Sequence, residues 1–184
     1  MLRRTFPAVL ALLGIAAVSP AGTLPRPAPP TFAIHLTNGQ QVSLNQFPGK
    51  AMAVIFILTY CPHCQKAVDT LAKAQAEFGA RGFQVLASAI EDHAAAAVPD
   101  FLKRVHPPFP VGFNDRGAAL DFLQHPMAAR LIMPQLVFID RSGMIRAQYS
   151  GDDNFFLEDQ QENNVRSKVE ELLQPKSTTP AKKK

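Results

Sequence analysis

The sequence predicts an α/β domain built on a central mixed sheet, and three observations carry that reading. An apolar run, Ala51 to Leu58, passes through Thr59-Tyr60-Cys61-Pro62-His63-Cys64 into a stretch where Cys64, Val68, Leu71 and Phe78 recur at helical spacing. A second run of strand character, Phe83 to Ile90, follows that stretch after Gly79 and Gly82. Strand, helix and strand in this order force parallel pairing through a right-handed crossover. The third observation is alternation beside turn residues. Phe32–Leu36 and Gln41–Leu44 flank Asn38-Gly39, and Met144–Tyr149 follows Arg141-Ser142-Gly143. These read as antiparallel hairpins, which make the sheet mixed.

Taken in order, the chain opens with Met1-Leu2-Arg3-Arg4, an apolar segment Phe6–Val18 and small residues through Ala21. That is the form of a secretory signal over 1–21, too short to be read first as a membrane span. An uncleaved segment would instead be a membrane tether. Residues 22–31, with Pro25, Pro27, Pro29 and Pro30, read as a stiff extended linker. The domain is expected over 32–174. Eight consecutive apolar residues at Ala51–Leu58 suit a central strand buried on both faces. Ala94–Val105 reads as a short helix stopped by Pro107 and Pro108, Phe109–Phe113 as a brief extended segment, and Arg116–Gln124 as another helix. Leu131–Asp140 is a strand in which Pro134 must stand first or in a turn, because proline cannot donate to a ladder. Phe155–Leu173 is expected as a closing helix with Phe156, Val165, Val169 and Leu172 inward. Residues 175–184 carry lysines and no core formers, and read as a disordered tail.

The chemistry sits where the central strand meets its helix. Cys61 falls at the helix start, where unpaired N–H groups and the helix dipole favour an anion. Pro62 occupies a first-turn position that tolerates proline. His63, protonated or directing an N–H toward the sulfur, would add to the stabilisation of a Cys61 thiolate. Cys64 lies one turn in and deeper, so the outer sulfur attacks and the inner one resolves. The only two cysteines are three positions apart, a poor structural staple, and no second Cys or His pair completes a zinc site. Glu91, Asp92 and His93 fall beyond the carboxyl end of the second strand. Glu91 is expected to be a solvated loop acid, with proton transfer to Cys64 as the alternative.

Strand–Cys-x-x-Cys–helix resembles the active site of thioredoxin-like proteins, and Cys-Pro-His-Cys is similar to that of oxidising members such as the DsbA family. Phe32 to Leu173 as a whole resembles the exported TlpA/ResA-type thioredoxins. The resemblance implies a three-layer fold with an N-terminal hairpin, helices on both sheet faces and an insertion between the second and third core strands. It implies a cis Pro134 facing the cysteines, with Met133 backbone pairing with a bound substrate chain and Tyr60 standing where many relatives carry Trp. It also implies thiol–disulfide exchange with protein thiols and disulfides and with a redox partner protein. No cofactor beyond a Cys61–Cys64 disulfide is expected, and the chain would act as a periplasmic or otherwise exported monomer. Two departures bear on mechanism. The acids that help deprotonate the buried cysteine in relatives are replaced by Ile55 and Ala67.

Composition narrows the alternatives. The net charge of +4 comes from the chain ends, since removing Arg3, Arg4, Arg26, Lys176 and Lys182–Lys184 leaves more acids than bases. No nucleic-acid face is implied. A copper-binding chaperone would use the same two sulfurs for a soft cation, but relatives of that kind separate their cysteines by three residues. A peroxiredoxin-like peroxidase would need a Pro-x-x-x-Thr-x-x-Cys arrangement, and Thr59 is two residues before Cys61.

Overall fold

The computed structural model describes residues 23–174. The expected signal over 1–21 and the tail at 175–184 lie outside the described residues. Among the described residues, eight strands form one sheet: β1 (Arg26–Pro27), β2 (Ala33–His35), β3 (Gln41–Ser43), β4 (Ala51–Ile57), β5 (Phe83–Ala89), β6 (Val111–Phe113), β7 (Gln135–Ile139) and β8 (Met144–Ser150). The same residues form four α-helices: α1 (Pro62–Phe78), α2 (Ala94–Val105), α3 (Arg116–Leu123) and α4 (Gln161–Leu173). The spatial order is β1-β8-β7-β4-β5-β6-β2-β3. β4 pairs parallel with β5 and antiparallel with β7, so the mixed sheet holds as expected.

The continuous apolar run of β4 has the burial that its composition requires. Ala51, Ala53, Ile55 and Ile57 enter one core with α1, α2 and α4, whereas Met52, Val54 and Phe56 enter a second core with α3. Side chains alternate across a strand, so a strand covered on both faces must be apolar throughout. Phe32, Phe56 and Phe122 cluster in the second core with ring centroids 4.4–5.8 Å apart. Helices therefore cover both faces, and the three layers foreseen are present.

Two expectations are corrected. The segment 22–31, read as a linker, supplies β1, which pairs antiparallel with β8 through Arg26↔Ile145 and Pro27↔Met144. Arg26 and Ala28 are buried, and the Arg26 guanidinium donates to Phe122 O at 2.9 Å and to Gln148 Oε1 at 3.1 Å. Proline-rich composition foretells an extended chain, but not that the chain is laid along a sheet edge. The described fold thus begins before residue 32.

The closing helix is also shorter than Phe155–Leu173. Asn154–Phe156 forms a separate 3₁₀ turn, capped by Asp153 Oδ1 accepting from Phe155 N, and Leu157 is extended before α4 starts at Gln161. Phe155, rather than Phe156, is the buried ring, stacked on Tyr149 with centroids 3.9 Å apart.

Candidate active site

β4 ends at Ile57, and the four residues Leu58–Cys61 turn the chain into α1. The turn is closed by Cys61 N donating to Leu58 O at 3.0 Å. Cys61 is the N-cap of α1, extended at φ −83° and ψ 119°, and its sulfur accepts from Cys64 N at 3.4 Å. A sulfur thus takes the place that a hydroxyl or carboxylate oxygen holds in most helix caps. Pro62 begins the helix, where its missing N–H removes nothing. Pro62 and His63 are exposed, Cys61 is half-buried and Cys64 is fully buried. Both cysteines are free thiols in this structure.

This arrangement divides the two sulfurs chemically. Cys61 is accessible and lies at the positive end of a 17-residue helix, with an N–H aimed at it. Burial pushes the Cys64 thiol far above its ordinary range, while the Leu58 N–H, 3.5 Å from its sulfur, pulls the other way. Its hydrogen-bonding contact and charge interaction with Cys61, and the charge of Glu91, then push it further up. The inner sulfur is disposed to keep its proton, and the outer one is the sulfur that a partner can reach. His63 makes no hydrogen bond to Cys61; the N–H that reaches that sulfur comes from the Cys64 backbone.

Glu91 is not the solvated loop acid expected. It follows β5 and is half-buried, and its Oε1 accepts from Thr59 N at 3.0 Å and from the Thr59 hydroxyl. Its Oε2 is buried with no hydrogen-bond partner. Thr59 is itself buried, and its carbonyl accepts from Gln65 Nε2 at 2.9 Å. The clue in the sequence was the sheet's carboxyl edge, but the clamp spans 32 residues and leaves no local pattern.

Gln135 pairs with Phe56, so Met133 and Pro134 stand at the sheet edge from which the Cys61 turn springs. The Met133-Pro134 bond is cis, Pro134 is buried and Met133 half-buried. Gly151 is pressed against this bond: a Cβ there would lie 2.2 Å from Met133 O, closer than any side chain allows. Tyr60, next to Cys61, is 69% exposed. A depression of about 430 Å³ borders the helix start, lined by Pro62, His63, Lys66, Asp152, Phe156 and Leu157 among others. A second of about 430 Å³ adjoins Glu91 and includes His35, His93 and Arg116 in its wall.

Ile55 and Ala67 are buried apolar residues, so neither position supplies an acid to the core that holds Cys64. Among the described residues, no group of three or more His, Cys, Asp or Glu side chains is arranged to hold a metal ion.

The Redoxin family model matches residues 25–165. The thiol-disulfide oxidoreductase ResA of Bacillus subtilis is 28% identical over 92 residues, covering 50% of this chain and 51% of that protein. ResA of Bacillus thuringiensis subsp. konkukian is 23% identical over 123 residues, 67% of this chain and 68% of that protein. The chain thus spans about half the length of the first curated relative and about two thirds of the second. Among solved structures, a thiol:disulfide interchange protein DsbE from Chlorobium tepidum superposes with a TM-score of 0.68 at 24% identity, covering 82% of this chain and 97% of that one. A secreted Mycobacterium tuberculosis disulfide oxidoreductase gives a TM-score of 0.61 at 15% identity, covering 77% and 96%. These superpositions establish the thioredoxin-like fold.

Proposed function

The chain belongs to the Redoxin family, and from that footing we propose that it is a thiol–disulfide oxidoreductase working through Cys61 and Cys64 on protein substrates. The observation that carries this reading is the capped, half-exposed sulfur of Cys61 beside the buried thiol of Cys64. In the reduced form, the Cys61 thiolate attacks a substrate disulfide, displaces one substrate sulfur as thiolate and becomes joined to the other. Cys64 then attacks Cys61 Sγ, the mixed disulfide breaks, and the substrate leaves with two thiols while Cys61–Cys64 closes. In the oxidised form, a substrate thiolate attacks Cys61 Sγ and the same steps run backward. Each cycle moves two electrons, and a redox partner protein restores the starting state.

The neighbouring residues suit substrate docking. The exposed Tyr60 ring, the His63-lined depression and the Met133 backbone before Pro134 form the ground on which a partner chain would lie. The basic, apolar and small-residue segments over 1–21 support export, with the domain acting as a monomer outside the cytoplasm. N-terminal sequencing of the protein recovered from cells is expected to start after Ala21, and a cytoplasmic protein beginning at Met1 would refute export.

Substitution of each cysteine tests the scheme. Cys64→Ala is expected to accumulate a mixed disulfide between Cys61 and its partner, and Cys61→Ala to lose exchange altogether. Insulin reduction by both variants at the wild-type rate would end the proposal.

A further inference from the structure

The exchange scheme leaves one question of proton balance open. For Cys64 to attack as a thiolate, a proton must leave a buried sulfur, and Ile55 and Ala67, in the same core, offer no acceptor. Consecutive backbone amides of the β4–α1 turn supply a geometric answer. The Leu58 N–H donates to Cys64 Sγ at 3.5 Å, and the Thr59 N–H donates to Glu91 Oε1 at 3.0 Å. Neighbouring residues of one turn therefore hold the sulfur and the carboxylate, and the charge of Glu91 acts on Cys64. Both Thr59 donors fall on Oε1, which leaves Oε2 buried without a partner. An unpaired carboxylate oxygen in such a place costs free energy unless something occupies it.

We propose that Glu91 is the proton acceptor for Cys64 in the resolving step, oriented for that role by Thr59. As the Cys64 sulfur bonds to Cys61 Sγ and the substrate sulfur departs as thiolate, the Cys64 proton passes to Glu91 Oε2, directly or through one water. It then leaves to solvent through the adjoining depression. In the reverse direction, Glu91 returns the proton to Cys64 as that sulfur becomes the leaving group. The raised proton affinity of Cys64 is in keeping with a sulfur that ionises only when a base is at hand. The charged and titratable groups facing this path are Cys61 and Cys64 from the α1 side, His35 from β2, Asp115 and Arg116 from the start of α3, and Asp92 and His93 on the same loop as Glu91.

The proposal rests on Cys61–Cys64 exchange, and one experiment separates the two. Reduced full-length chain is mixed with oxidised glutathione and quenched in acid, and the glutathionylated and internally bridged forms are counted by mass across pH 5 to 9. Glu91→Gln keeps an oxygen for Thr59 but cannot take a proton. It is expected to form the Cys61 adduct at the wild-type rate and to resolve it about 100-fold more slowly at neutral pH. Its resolution should climb about tenfold per pH unit, as solvent hydroxide takes over, where the wild type levels off. Glu91→Asp should recover part of the loss, and Thr59→Val, which removes the hydroxyl donor and keeps the backbone one, should fall between. Wild-type closure with an unchanged Glu91→Gln profile overturns this proposal alone, as does equal slowing of both steps. Failure of the wild type to form either species overturns the exchange reading and this inference with it.

Discussion

Asp140 illustrates how a single buried charge is sustained. Burial works against its ionisation, yet the Ser142 hydroxyl and N–H, the Met144 N–H and the Arg146 guanidinium outweigh that cost and hold its carboxyl well below the usual range. A carboxyl depressed in the folded state adds stability above its unfolded value of about 3.9, and that stability drains away as pH falls toward the folded value. Asp140→Asn is therefore expected to cost roughly 2 kcal/mol at pH 7 in urea unfolding. The gap between variant and wild type should narrow steadily below about pH 4. A gap independent of pH would mean that Asp140 acts by packing alone. At the active site the same scale explains what was readable. Cys61, Pro62 and Cys64 announced themselves by spacing at a strand-to-helix junction. Glu91 did not, because its orientation is set by Thr59 on another strand's turn.

Among the elements, β4 and α1 were legible because each has one period and one face pattern to satisfy. β4 is apolar throughout, and the buried stripe of α1 runs through Cys64, Val68, Leu71 and Phe78 as spacing foretells. The α4 start was obscured because Phe155 and Phe156 also fit a helical stripe, and only the Asp153 cap and extended Leu157 reveal the break. β1 was hidden by its prolines, which fix an extended backbone whether or not a strand lies alongside. Its anchor is Arg26, whose buried guanidinium ties the segment to the end of α3 and to β8. Arg26→Met retains much of the stem but removes both hydrogen bonds and leaves Phe122 O without that donor. It should lower unfolding stability by roughly 1.5–3 kcal/mol while leaving the rate of Cys61 reaction with oxidised glutathione unchanged. Slower exchange with intact stability would instead tie β1 to the site.

At the scale of the molecule, the sheet gathers distant parts of the chain at one edge. The β4 end supplies the cysteine turn, the β5 end Glu91, and the approach to β7 the Met133-Pro134 pair, packed against Gly151. Such an edge, outside the carboxyl ends of parallel strands, is where open α/β sheets carry their sites. Two apolar cores, one on each face, hold these strand ends in register. Fold class and the place of Cys61 and Cys64 at a strand-to-helix junction could both be read from local periodicity, whereas the surroundings of the two cysteines depend on register and on long-range hydrogen bonds. Reversible closure of a Cys61–Cys64 disulfide is the property on which the proposed function rests. Equilibrating the protein across a series of glutathione buffers, alkylating free thiols and weighing the product measures it directly. A single reversible transition is expected, with both thiols blocked at the reducing end and neither at the oxidising end, and Cys64→Ala should halt at a glutathione adduct. Two alkylated thiols at every ratio, or oxidation that no reductant reverses, would contradict the account.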